Sequence, residues 1–451
     1  MPQKLSTRKS LAYALPVITA NCLMAPIGIV QGIYAKYFGL SLASIAMVLL
    51  FARLFDAISD PIVGYFGDRY YRHAGTYKPF VFVGGLLFVV SSYYLYAPPS
   101  DVDITYFTLW FMAFYATWTI FEVPHIAWAS QLATTSAAKA KIYSFRASAL
   151  YAGLSLFYVI PLLPIFESQA ITPATLKISA IVAGVLMLPF LAVCLKTTDF
   201  SSEAKSPLPT SDRSTSPREG NIGSIIKNKL LLVFIGAIVM SVLSSGLWYS
   251  LIFLYVDVYL GMGEHFAKVF LLAFIIGLVS TPLWYKLSVW LGKKATWLFA
   301  TCLSISSFIY TGTLSPDSTT MSQLVILKAI QTLGFTGANV LIPAVLSEIV
   351  DFSHWKYHSH NDATYFAIYT FTTKSITSIA TALGLGIAGW YGFDATANIQ
   401  SELSIFGLTM MISWLPVVFA ALSLIFVLRL PINERRHNVI RARLAKREEF
   451  S

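Results

Sequence analysis

Apolar runs of about 20 residues, separated by turn or charged segments, recur along the whole chain, and each is long enough to cross a bilayer as a helix. They lie near 11–36, 42–67, 79–97, 104–131, 143–165, 174–195, 230–259, 265–291, 295–314, 321–350, 363–391 and 403–429. Only 12% of the residues are charged and 56% are hydrophobic, whereas a soluble domain carries about 25% charged residues. The chain is therefore read as an all-α polytopic membrane protein with twelve transmembrane helices. The net charge of +10 does not point to nucleic acid, because the basic residues collect in alternate loops. Lys4, Arg8 and Lys9 precede the first run, Arg69, Arg72 and Lys78 follow the second, and Lys293 and Lys294 follow the eighth. The loops 98–103, 315–322 and 392–401 have no Lys or Arg, while Lys36, Lys177 and Lys268 are exceptions near the other side. This bias places both termini in the cytoplasm, and the expected location is a bacterial inner membrane.

Residues 196–229 break the pattern. They are polar and punctuated by proline, so they read as a cytoplasmic linker that does not pack. The expected division is an N-terminal six-helix bundle over 1–195, the linker 196–229, a C-terminal six-helix bundle over 230–430, and a basic tail 431–451 that touches anionic lipid. Met1–Lys9 is short and basic with no cleavage motif after it, so the first span is retained. Cys22, Cys194 and Cys302 all lie in apolar runs without metal-ligand or disulfide spacing.

The two halves are weakly repeated. Ser59-Asp60-Pro61 in the second run matches Ser280-Thr281-Pro282 in the eighth, and Phe121-Glu122-Val123-Pro124 in the fourth matches Val340-Leu341-Ile342-Pro343 in the tenth. The match is informative where it fails. Asp60 and Glu122 face Thr281 and Leu341, and acids needed only to build a bundle would be present in both halves.

Acids within the apolar runs are the candidates for chemistry. Arg53, Asp56 and Asp60 are spaced i, i+3 and i+7, so a helix puts them on one face. Each charged side chain at membrane depth costs about 2.5–3.5 kcal/mol on insertion scales, so such groups pair or line a wet cavity. A purely structural charge pair is the competing reading, but one arginine cannot neutralise two acids. On the fourth run Trp118, Thr119 and Glu122 share a face, and Pro124 leaves a backbone carbonyl unpaired near the same level. With Asp56, Ser59 and Asp60 they offer carboxylate, hydroxyl and carbonyl oxygens, which suit a hard cation such as Na⁺ or a proton. Asp56, Asp60 and Glu122 are the Na⁺ candidates. Lys374 lies mid-run and Arg146 opens the fifth run; Lys374 is read as a counter-ion for the carboxylates. Lys328 and Asp257 are read as closer to the surface, where a lysine snorkels. Tyr115, Trp118 and Trp248 could stack on a sugar ring or pack in the core, and His125 could shuttle protons beside Glu122.

At these residues the chain resembles the glycoside–pentoside–hexuronide:cation symporter family. The resemblance is carried by Arg53-x-x-Asp56-Ala-Ile-Ser-Asp60-Pro-x-x-Gly with the following Asp-Arg and Tyr-Lys-Pro, by Phe121-Glu-Val-Pro124 and Arg146-Ala-Ser, and by Val350-Asp351-Phe-Ser-His-Trp-Lys356 with Tyr365-Phe-Ala-Ile-Tyr-Thr-Phe and Lys374. It runs over nearly the whole chain in family order. It implies a major facilitator fold with alternating access between two six-helix bundles. It also implies a cation site at Asp56, Ser59, Asp60, Thr119 and Glu122. Arg146 and Lys374 match family residues near sugar and cation, and the expected substrate contacts are Asn21, Tyr115, Trp118, Arg146 and Lys374, with Arg53 and Lys374 balancing charge. Departures are plain. The first-span aspartate of melibiose-type members is absent from Ile18-Thr19-Ala20-Asn21, their fourth-span tryptophan is Ile126, their second-span asparagine is Ser59, and their fourth-span aspartate is Glu122.

The expected function is Na⁺- or H⁺-coupled import of a saccharide or glycoside, with a uronide suggested by three cations opposite three acids. The expected partners are that solute and the bilayer, with no nucleic acid, no cofactor beyond the coupling ion, and a monomeric state. A lysolipid carrier is the alternative transport reading, permitted by Val17 and Ile18. A membrane sensor lacks an output domain, and no nucleophile, metal cluster or phosphate loop marks an enzyme.

Overall fold

A computed structural model of the chain describes residues 6–132, 136–198, 228–357, 362–397 and 399–430. Within the helices a few side chains, including those of Arg53 and Asp60, lie outside this description, as do most of the expected linker and the whole expected tail. All described regular structure is helical: α1 (Thr7–Met24), α2 (Val30–Phe38), α3 (Leu42–Ala74), α4 (Lys78–Tyr96), α5 (Ile104–Leu132), α6 (Ser136–Val159) and α7 (Pro173–Thr197) precede the linker. After it come α8 (Lys229–Leu254), α9 (Gly263–Leu291), α10 (Lys293–Thr311), α11 (Met321–Tyr357), α12 (Asp362–Trp390), α13 (Glu402–Thr409) and α14 (Leu415–Arg429).

A 3₁₀ turn over Ala25–Gly28 joins α1 to α2, because Pro26 has no N–H for the helical ladder. A π turn over Met410–Trp414 joins α13 to α14, and another over Tyr255–Tyr259 ends α8. The fourteen helices thus make twelve rods among the described residues, one for each apolar run. Nine of those rods are long and apolar enough to cross a membrane by length and composition alone. Helices α3, α10 and α12 are not among the nine. Helix α3 runs unbroken from Leu42 to Ala74 and carries Asp56 and Ser59 within it.

The chain packs as two compact units. The first holds α1–α7 with the segments Phe253–Leu271 and Ala388–Ser404, and the second includes Leu272–Ile387. Two segments from the C-terminal side of the linker therefore pack with the N-terminal helices. In the first unit α1 crosses α6 at Gly153, where an added Cβ would stand 2.2 Å from the Ile18 carbonyl oxygen. Helix α4 meets α5 as closely, since a Cβ at Gly84 would stand 2.7 Å from the Phe121 backbone nitrogen. Outside the spans, Asp103 caps α5 by accepting from the Tyr106 N–H at 2.8 Å, and that bond holds its carboxyl below the usual range.

The second unit is built on an apolar core that includes Phe234, Trp297, Leu346, Tyr365 and Val427. The repeat positions without acids are absorbed here. Leu341, the counterpart of Glu122, belongs to that core, and the Thr281 hydroxyl, the counterpart of Asp60, donates to its own helix at the Gly277 carbonyl.

Candidate ion and solute site in the first unit

The carboxylate of Asp56 on α3 is buried, with 4% of the residue exposed. The Thr119 hydroxyl on α5 donates to its Oδ1 at 3.3 Å, and the Ser59 hydroxyl donates to the Asp56 backbone carbonyl at 3.2 Å. Two helices expected to share the site thus meet at the residues that the sequence singled out. A Cβ added at Gly64 or Gly67 of α3 would meet Val123 at 3.9 Å or Pro124 at 3.8 Å on α5.

One turn beyond Thr119, Glu122 accepts a hydrogen bond from Arg146 Nη2 on α6 through Oε1. Its second oxygen, Oε2, is buried without a hydrogen-bond partner among the described residues. A buried acceptor of this kind carries a penalty of about 1–3 kcal/mol, more when charged, and is poised for a ligand that removes it. The other arm of Arg146, Nη1, lies 2.8 Å from His125 Nδ1. A guanidinium only donates, so Nδ1 is the acceptor and the imidazole proton sits on Nε2, which faces the Tyr13 carbonyl at 3.2 Å. The Tyr13 hydroxyl returns a bond to the His125 carbonyl at 2.6 Å, and the two rings stack at 4.2 Å. Phe121 also stacks against the imidazole, at 5.2 Å. Both histidine nitrogens are engaged, so the ring takes up a proton only if Arg146 withdraws. Tyr13 had no signal in the sequence, since a tyrosine in an apolar run looks like any core aromatic.

The remaining candidates are placed as follows. Asn21 is 8% exposed and its amide nitrogen donates to the Val17 carbonyl of its own helix at 2.8 Å. Tyr115 is buried against Phe111 and Phe114, and half-buried Trp118 packs on Phe88 and Phe121. Lys374 is exposed on α12 in the second unit. The side chains of Arg53 and Asp60 lie outside the described residues. Among the described residues no three His, Cys, Asp or Glu side chains form a metal-type cluster.

Two expectations are corrected. Lys328 does not snorkel, because only 5% of it is exposed and its ammonium lies between aromatic rings and an amide. Asp257 is also buried, at 7% exposure, and forms an ion pair with Lys36. Apolar neighbours hid both, because a run of hydropathy does not say which helix face is covered. Trp248 is fully buried, with its indole N–H donated to the Thr311 hydroxyl at 3.1 Å.

Known proteins share this architecture. The model of the family described as MFS/sugar transport protein matches residues 12–434. The symporter YjmB of Bacillus subtilis (strain 168) is 23% identical over 94% of this chain and 92% of its own length. Among solved structures, a bacterial homologue of the human lysosomal transporter Spinster superposes with a TM-score of 0.67 at 13% identity, covering 93% of this chain and 95% of that one. The nucleoside transporter NupG gives 0.66 at 14% identity, covering 94% of this chain and 98% of that one.

Proposed function

The chain belongs to the MFS/sugar transport protein family, and from that premise we propose that this multi-pass membrane transporter is a cation-coupled symporter that imports a saccharide or glycoside by alternating access. It is a transporter of the major facilitator superfamily and not an enzyme. The coupling ion is Na⁺ or H⁺, and the membrane is the inner membrane of a bacterium, with both termini on the cytoplasmic side.

One observation carries the reading. Thr119 bonds Asp56 across the α3–α5 contact, and one turn further along α5 the Glu122 Oε2 oxygen is buried without a hydrogen-bond partner among the described residues. A cation beside that oxygen supplies the missing interaction, and an added proton does the same by turning an acceptor into a donor. Either event changes the balance between Glu122 and Arg146, whose second arm reaches His125 and through it Tyr13 on α1. Cation occupancy is thereby linked to the side chains expected to meet the solute. Linkage requires the reverse effect to be equal: solute raises cation affinity by the factor by which cation raises solute affinity.

The test is uptake of labelled saccharides into right-side-out vesicles under imposed Na⁺ or H⁺ gradients. The expected result is accumulation above equilibrium with one gradient, and only equilibration in Asp56→Asn. Undiminished accumulation by Asp56→Asn would overturn the cation-site assignment.

A further inference from the structure

We propose that His125 is a positioning residue for the ion site: it occupies one arm of Arg146, so that Arg146 covers a single oxygen of Glu122 and leaves Oε2 to the coupling ion. The inference rests on the ion-coupled reading above and adds to it the residue that keeps the site open.

A guanidinium and a carboxylate pair most strongly through two parallel N–H···O bonds. Arg146 and Glu122 do not adopt that form. Nη2 donates to Glu122 Oε1, whereas Nη1 donates to His125 Nδ1 at 2.8 Å. Glu122 Oε2 is left buried without a hydrogen-bond partner among the described residues. Nη1 is the arm that would close the second bond to the carboxylate. The bond to the histidine and the uncovered oxygen are therefore two sides of one choice.

His125 is held so that it wins that arm. The ring is fully buried, so bulk water does not compete for its lone pair. Its Nε2 faces the Tyr13 carbonyl at 3.2 Å, which puts the proton on Nε2 and the lone pair on Nδ1, toward Arg146. Tyr13 and Phe121 both stack on the ring, with interplanar angles of 8° and 16°, and so fix its plane. The Tyr13 hydroxyl bonds the His125 carbonyl at 2.6 Å and also interacts with the Arg146 guanidinium. Without an acceptor at Nδ1, the Nη1 donor would turn to Glu122 Oε2, complete the bidentate pair and quench the oxygen that the ion needs. A ring that served only to pack between Tyr13 and Phe121 would have no use for that acceptor.

The experiment measures thermal stabilisation of the full chain in detergent as Na⁺ replaces choline, and separately as acid is added in choline. The parent is compared with His125→Asn, His125→Leu and His125→Phe. Asparagine and leucine are close in size, and both give up the ring stacking and the bond to the Tyr13 carbonyl. They differ in one acceptor, because the asparagine Oδ1 takes the place of the imidazole Nδ1. Whichever ion stabilises the parent should need a concentration at least about ten-fold higher in His125→Leu and His125→Phe, and nearly the parent's in His125→Asn. His125→Phe keeps a ring against Tyr13 and Phe121, so it carries the test if His125→Leu fails to fold. Unchanged ion dependence in His125→Phe or His125→Leu would overturn the proposal. So would a loss in His125→Asn as large as in His125→Leu, which would mark a packing role. A parent stabilised by neither ion would overturn the coupling reading itself, and the proposal with it.

Discussion

Lys36 Nζ on α2 lies 2.7 Å from Asp257 Oδ2 in the π turn that ends α8, joining residues 221 positions apart within the first unit. The acid side chain is 4% exposed and the lysine 29%. Removing one partner leaves a nearly buried charge, which costs about 3–5 kcal/mol for a fully buried pair and less here because the lysine reaches solvent. Lys36→Met should therefore lower the melting temperature clearly, and Lys36→Met with Asp257→Asn should recover most of the loss. Differential scanning fluorimetry of the parent, Lys36→Met, Asp257→Asn and the double variant checks this; additive losses in the double variant would mean that the pair contributes no coupling.

The Thr119 hydroxyl gives Asp56 a hydrogen bond to a charged group, an interaction of about 1.5–3 kcal/mol. Thr119→Ala is expected to raise the cation concentration for half-maximal uptake by roughly 10- to 100-fold, with Thr119→Ser close to the parent. The measurement is uptake against cation concentration at fixed solute. A solute KM that rises alone, with the cation dependence unmoved, would place Thr119 outside the ion site.

Arg146 bonds Glu122 with one arm and His125 with the other. A lysine has a single nitrogen and cannot hold that fork. Arg146→Lys should lose accumulation almost as fully as Arg146→Ala while keeping more of the thermal stability. Uptake and melting curves measured on the same preparations separate the two effects; full transport by Arg146→Lys would show that charge alone suffices.

Backbone contact at Gly153 makes the α1–α6 crossing intolerant of size. Gly153→Ala drives a Cβ against the Ile18 carbonyl and the Asn21 Cβ, the latter at 2.9 Å. Overpacking of this kind costs about 1–3 kcal/mol, so the variant should melt several degrees lower in detergent. An unchanged melting temperature would mean that the two helices separate cheaply.

The fold was largely legible because spans need length and apolarity, and both survive in composition. The exceptions are informative. Helix α3 continues past the apolar run near 42–67 to Ala74, where Gly75 closes it in the left-handed conformation. In the candidate site, the Asp56–Thr119 contact followed from helical spacing and a family pattern. The Arg146 fork, with Tyr13 behind His125, did not, because three helices must be assembled before those side chains meet. Lys328 and Asp257 were misread for the same reason. A lysine amid apolar residues looks peripheral until the rings of Trp248 and Tyr249, about eighty positions away, are set against it.

The glycine crossings at Gly153 and Gly84 restrict how the molecule can move. Main chain rests on main chain there, so neither α1 against α6 nor α4 against α5 has a lubricating layer of side chains to slide on. Those pairs behave as welded struts, so each is expected to swing whole rather than by one helix sliding on the other.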